Sequence, residues 1–110
     1  MQNVPVLPAP SQVQPQQAAL GFAVAVSNVA ADILAAGVPC VGVEIQSSSK
    51  DDANATMSGV VYVQVGGVKI YELTTGQTVF VPCSHTSQIK VVTQTGTGFA
   101  RGIVYQQKTY

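Results

Sequence analysis

The residues that could carry chemistry are few, and the first of them lie in the stretch PCSHTS. Cys83 stands close to the single histidine of the chain, His85, and residues two apart on a strand share a face. An imidazole beside a thiol can activate it as a nucleophile. The stretch supplies neither a third orienting group nor an oxyanion-hole motif, so we interpret His85 as a turn or surface residue.

The second stretch, SSSKDDANATMSG, contains the adjacent carboxylates Asp51 and Asp52. Acid-base catalysis needs carboxylates on opposite sides of a substrate, and an EF-hand needs a wider ligand spacing. Neither pattern is present, so the stretch predicts a hydrated surface loop. The triplet that begins at Asn54 matches a glycosylation site, and we interpret the match as incidental because we find no export signal.

Cys40 and Cys83 are the two cysteines, and each follows the dipeptide Val-Pro. The matching contexts suggest a disulfide, yet buried free cysteines are common core residues and a domain of this size does not need a covalent link. Free thiols are preferred, and the disulfide stays open until the geometry is known. Two cysteines and one histidine do not make a zinc site, so no metal and no cofactor is predicted.

Three aromatic residues raise the possibility of a sugar-binding surface. Tyr62 and Tyr71 flank the pair Gly66-Gly67, and Phe80 follows in the next apolar run. Packing between strands is the commoner role of such aromatics, and the chain has no tryptophan, the residue that carbohydrate readers usually present.

Composition excludes several classes of function. The 110 residues suit one domain, and only 9% are charged, against about 25% in an average soluble protein. The net charge is zero, so the chain lacks the excess of positive charge that is typical of proteins that bind nucleic acid or anionic membranes. The apolar stretch ALGFAVAVSNVAADILAAG lacks a basic flank and is interrupted by polar residues, so we predict neither a signal peptide nor a membrane anchor.

Apolar residues alternate along most of the chain, which predicts strands. The segments are FAVAVSN (22–28), VGVEIQS (41–47), VVYVQV (60–65), VKIYEL (68–73), TVFVP (78–82), QIKVVTQ (88–94) and RGIVYQQK (101–108). Gly66-Gly67 predicts a tight hairpin. Segment 28–37 could form two helical turns or an edge strand, and we prefer the strand. VVYVQV suits a strand inside a sandwich or at a subunit contact, and its exposure would favour self-association.

The first twenty residues differ from the rest. Four of the six prolines lie here, at spacings that favour extended chain, and the segment carries too few large apolar side chains to fold by itself. We therefore predict an extended Pro/Gln-rich arm over residues 1–20 and a β-sandwich domain over residues 21–110. The predicted docking residues of the arm are Val4, Pro5, Val6, Leu7, Pro8, Pro10, Val13 and Pro15.

Four short motifs lie in a fixed order along the domain: VPCVGVEIQ in 38–46, GVVYVQV in 59–65, LTTG in 73–76 and GIVY in 102–105. They resemble those of small virion proteins of tailed bacteriophages and prophages, in which an "IPC…V.IQ" strand precedes "G.VYVG", an "L..G" turn and a closing "G..V.Y" strand.

This resemblance implies an all-β protein: a single antiparallel β-sandwich, jelly-roll-like, with an N-terminal arm. It also implies a head decoration or cement protein on the capsid surface of the virion, made in the host cytoplasm, which binds the major capsid protein and forms a homotrimer. The arm would then be a docking strap. The alternatives are a tail, neck-adaptor or fibre-base module, or a carbohydrate-binding virion module. An enzyme is not predicted, because no complete catalytic constellation is present.

Overall fold

The computed structural model describes residues 17–107. Its strands are β1 (Gln17–Val26), β2 (Ala31–Asp32), β3 (Gly42–Ser47), β4 (Val61–Val65), β5 (Val68–Leu73), β6 (Thr78–Val81), β7 (Ile89–Thr93) and β8 (Gly98–Gln107). A single 3₁₀ turn, Thr86–Gln88, precedes β7. The described residues are thus all-β, as the alternating pattern predicted. The predicted docking residues of the arm, from Val4 to Pro15, lie outside the described residues.

The described strands form two four-stranded antiparallel sheets. Sheet 1 has the order β1-β8-β3-β6, and sheet 2 has the order β2-β7-β4-β5. The strand pairs are nested along the chain: β1 pairs with β8, β2 with β7, β3 with β6 and β4 with β5. The chain thus runs as if it were one long hairpin. The two sheets are compatible with a β-sandwich.

The inner faces of both sheets supply one apolar core. Its fully buried members include Val43, Ile45, Val61, Val63, Ile89, Val91 and Val104. Most of them are β-branched, the residue type that fits a pleated surface best. Of the two alternatives for VVYVQV, the strand inside a sandwich agrees with the structure: β4 runs between β7 and β5, and its Val61 and Val63 are fully buried.

The hairpin between β4 and β5 forms where the glycine pair predicted it. Gly66 and Gly67 have φ angles of 60° and 84°, the left-handed region that a two-residue hairpin requires. Further along, Val63 pairs with Tyr71 and Gln64 with Lys69, so the residue between these partners on β5 has no partner on β4. The β-bulge lies in an edge strand, and the three residues of β5 nearest the hairpin are exposed.

Two boundaries differ from the sequence prediction. β1 begins at Gln17, inside the predicted arm, and pairs with β8 over its whole length. Segment 28–37 contains only the short strand β2, held to β7 by Ala31 and by an ion pair of 2.7 Å between Asp32 and Lys90. In both places, pairing with a distant strand decides the structure, and the local residue pattern does not record it.

Sheet 1 has two distinct ends. At the arm end, β1 and β3 begin and β6 and β8 finish; at the loop end, the polar loop 48–57 follows β3. The strand β8 lies in the middle and bonds both β1 and β3. Its Gly102 faces the ring of Phe22, and a Cβ there would collide with the backbone oxygen of Glu44.

We predict that Gly102→Ala lowers the free energy of unfolding by about 1–3 kcal/mol or more, because β8 would have to move away from β3. The matched control is Gly21→Ala on the neighbouring strand, where an added Cβ has no atom nearer than 3.9 Å. This control should change stability by less than about 0.5 kcal/mol. Urea unfolding of the two variants measures the difference, and equal stabilities would contradict the close packing at Gly102.

Candidate functional site

The outer face of sheet 1 carries a mixed apolar and polar surface. Two adjoining depressions of about 410 and 270 Å³ lie on it, and both include Glu44. The residues lining them are Val41, Glu44, Gln46, Thr78, Phe80, Arg101, Gly102, Ile103 and Tyr105. Both depressions are open to solvent, so the face suits contact with another surface better than enclosed catalysis.

An aromatic pair marks the arm end of this face. Phe80 is 50% exposed, and its ring lies 6.2 Å from the ring of Tyr105, centre to centre. The Phe80 ring occupies the space above Gly42, where any Cβ would overlap it. Val41 is 38% exposed, and its backbone N–H donates to the carbonyl oxygen of Tyr105 at 2.8 Å. Glycine at position 42 therefore leaves the space that this half-exposed ring occupies.

Arg101 ties the polar loop to the other end of the face. Its guanidinium lies 4.6 Å from the ring centre of Phe99 and 2.8 Å from a carboxylate oxygen of Asp52. It also donates to the hydroxyl of Ser48 and to the carbonyl oxygen of Lys50, each at 3.3 Å. The ion pair is exposed and contributes only about 0–1 kcal/mol. With the two hydrogen bonds, it joins the loop to β8.

The second carboxylate of the loop has a structural role as well. Asp51 accepts hydrogen bonds from the backbone N–H groups of Ala53 and Ala55, at 2.9 and 2.8 Å. Asn54 adopts a positive φ of 67° inside this turn. Both carboxylates thus have partners within the loop or on the adjacent strand, which agrees with the predicted surface loop.

The two cysteines meet at the arm end of sheet 1. Their sulfur atoms lie 3.3 Å apart, and Cys40 is buried while Cys83 is partly exposed. Burial, followed by the hydrogen bond and the charge of Cys40, raises the pKa of Cys83 from an ordinary 9.0 to about 12. The thiol of Cys83 therefore keeps its proton at neutral pH and is a poor nucleophile.

His85 does not activate this thiol. Its Nδ1 lies 2.8 Å from the hydroxyl of Ser87 and accepts from the backbone N–H of the same residue at 3.2 Å. The side chain of Gln88 reaches back to the backbone N–H of His85, which completes a capping box around the 3₁₀ turn. The structure agrees with the interpretation of His85 as a turn residue.

The sugar platform proposed for Tyr62 and Tyr71 does not form. Tyr71 pairs with Val63 and packs against the core. Tyr62 lies on the outer face of sheet 2, where the ammonium of Lys69 is 4.7 Å from the centre of the Tyr62 ring. The β-bulge leaves this alternation intact, so the two rings lie on opposite faces. Phe80, the third aromatic considered, belongs to the other sheet and pairs with Tyr105, a partner that the sequence pattern did not single out.

Within residues 17–107, no three His, Cys, Asp or Glu side chains come together as a metal site requires. No helix in the range has the length and apolar character needed to cross a membrane.

The raised pKa of Cys83 predicts how fast the folded protein reacts with iodoacetamide. Since the thiolate is the reacting form, the rate at Cys83 should keep rising about tenfold per pH unit above pH 9, where an ordinary thiol levels off. In Cys40→Ser, the rate should level off at a lower pH than in the wild type, because the hydrogen bond and the charge of Cys40 are lost. That pH should still be higher than the pH at which the urea-unfolded chain levels off, because the burial of Cys83 remains. Mass spectrometry of the modified peptide measures the rate, at pH values where circular dichroism shows the fold intact. A plateau near pH 9 in the folded wild type would contradict the burial of this thiol.

Comparisons bear on the resemblance to phage virion proteins. No protein-family model, no curated protein and no solved structure matches the chain significantly. The resemblance therefore rests on the four short motifs alone, and the function has to be argued from the residues and their geometry.

Proposed function

We propose that this chain is a bacteriophage head decoration or cement protein, whose N-terminal arm straps it to the outer surface of the shell. The observation that carries the proposal is the place where β1 begins, directly after residues 1–16. β1 begins at Gln17, and two residues later Ala19 pairs with Tyr105 of β8. A partner held by the arm is thereby brought next to the exposed aromatic pair on the outer face of sheet 1.

The order of the strands supports a jelly-roll domain. Nested pairing from β1 with β8 inward to β4 with β5, divided between two sheets, is the arrangement of an eight-stranded jelly roll. Viral capsid proteins and lectins both use this architecture. Because one fold serves many functions, the strand order supports a virion role only together with the chemistry of the exposed surface.

The chemistry of the surface favours a protein partner. Phe80, Tyr105 and Val41 supply exposed apolar area beside Glu44, and aromatic anchors of this kind contribute most of the binding energy in many protein interfaces. The arm carries no charge, so docking it costs little desolvation. Among residues 17–107, no strand pairs with the outer edge of β1, which offers backbone groups to an added strand. On this basis the major capsid protein is the proposed partner.

The homotrimer is part of the same proposal, but the VVYVQV strand does not supply the contact between subunits. Val61 and Val63 are fully buried, so they are not available to another subunit. Val68 and Ile70 on the edge strand β5 are 58% and 53% exposed. An exposed apolar edge strand favours association, and we place the self-contact there.

The second candidate is a carbohydrate-binding virion module. Phe80 and Tyr105 lie beside the polar side chains of Glu44 and Gln46, and aromatic rings flanked by carboxylate and amide groups suit sugar recognition. Binding of soluble protein to a panel of host-surface glycans, lost in Phe80→Ser, would favour this candidate over the decoration protein.

The decoration proposal predicts a high copy number. Particles purified from the phage or induced prophage that encodes the chain should contain it in amounts comparable with the major shell protein, as measured by quantitative mass spectrometry. A few copies per particle would move the protein to the tail, the neck or the base of a fibre. Its absence from the particle would overturn the virion proposal.

The strap role predicts a loss of attachment without a loss of folding. Deleting residues 1–16 spares β1, so circular dichroism should stay unchanged while retention on purified shells falls. Phe80→Ser should also weaken retention, because it removes an exposed anchor. The matched control is Val29→Ser, which changes a 70% exposed residue in the turn after β1 and should not affect retention. Normal retention of the truncated protein would remove the strap role.

A further inference from the structure

We propose that Cys40 and Cys83 are a modification site, at which the two thiols close to an intrachain disulfide when the folded protein meets a small disulfide oxidant. The sequence left the disulfide open. The sulfurs are 43 positions apart in the chain and 3.3 Å apart in space. Bond formation requires them to approach by about 1.3 Å, since a disulfide is about 2.0 Å long.

Backbone hydrogen bonds around the two cysteines hold the sulfurs together. The N–H of Cys40 donates to the carbonyl oxygen of Ser84 at 3.0 Å. Nearby, Thr86 donates its N–H to the carbonyl oxygen of Val38 at 3.0 Å, and its hydroxyl accepts from the N–H of Val38 at 2.9 Å. The segments before β3 and after β6 are therefore fixed to each other, so closing the bond needs side-chain movement and no rearrangement of the sheet.

The chemistry uses two exchange steps and balances with one oxidant molecule. In the first step, the thiolate of the more exposed Cys83 attacks one sulfur of the small disulfide, expels a thiolate and forms a mixed disulfide. In the second, the sulfur of Cys40 attacks the Cys83 sulfur and expels the other half of the oxidant. Two electrons pass from the protein to the small disulfide, and the two protons of the protein thiols end on the two released thiols.

The surroundings of the pair set the rates of these steps. The first step is slow at neutral pH, because burial keeps Cys83 protonated. The second is fast, because the attacking sulfur is already in contact with its target. The two cysteines therefore form their disulfide slowly, and the bond crosslinks the arm end of sheet 1. Such slow formation does not suit a rapid redox sensor.

The timing of the modification follows from the proposed function, and this step alone rests on it. A phage protein is made in a reducing cytoplasm and leaves the cell on lysis, so the thiols would persist during assembly and close afterwards. The bond would then stabilise the end of the domain from which the arm departs.

The test uses the purified full-length chain. After removal of reductant, it is incubated with oxidised glutathione at mildly alkaline pH, and its intact mass is measured without reduction. The expected product has lost two hydrogens, carries no glutathione and yields one peptide pair that joins Cys40 to Cys83 after digestion. Its urea midpoint should exceed that of the same sample treated with dithiothreitol, because a bond across 43 positions restricts the unfolded chain.

Cys40→Ser and Cys83→Ser are the controls, and neither should lose two hydrogens. The urea-unfolded wild type confirms that the oxidant is active. Persistent glutathione adducts, disulfide-linked dimers or thiols that stay free in the folded protein would each overturn the proposal. None of these outcomes depends on whether the protein is found in a virus particle, so the disulfide and the decoration role can fail separately.

Discussion

The rest of the fold depends on the pairing of β8 with β1 on one side and β3 on the other. β8 pairs with β1 from Gln17 opposite Gln107 to Val26 opposite Gly98, so it joins the two ends of the described chain. Closing such long loops costs chain entropy before any contact stabilises them. The pairing is possible only because Gly102 leaves room for the Phe22 ring and for the backbone of β3. Once β8 is in place, sheet 1 has a fixed register.

That register divides the side chains of β8 between two environments. Ala100 and Val104 point inward and are fully buried, whereas Arg101, Ile103 and Tyr105 face outward and are partly exposed. The inner set contributes to the core by removing apolar area from water, at about 25 cal/mol per Å². The outer side chains leave part of their apolar area exposed to water. An accessible surface thus exists because the alternation that forms the core also turns every second residue outward.

Sequence alone predicted those features that depend on local chemistry. The alternation in β3 and the glycine pair after Val65 specify their structures within a few residues, and both predictions are confirmed. The early start of β1 could not be predicted, because hydrogen bonds to β8 determine it. The pairing of Phe80 with Tyr105 and the contact between the two sulfurs are equally non-local. They follow from the strand order, which no local pattern in a single sequence encodes.

The strand order also explains why the chemically distinctive residues gather at one end. Since β1 and β3 begin where β6 and β8 finish, the first residues of β1, the Phe80 and Tyr105 rings and the two cysteines all lie at the arm end of sheet 1. The carboxylates of loop 48–57 lie at the opposite end, where Arg101 pairs with Asp52 and backbone N–H groups of the loop bind Asp51. The Phe80 and Tyr105 rings therefore lie apart from the acidic loop, and the carboxylate beside them is that of Glu44. The strand order that assembles the core thus also separates the aromatic pair on the outer face of sheet 1 from the acidic loop.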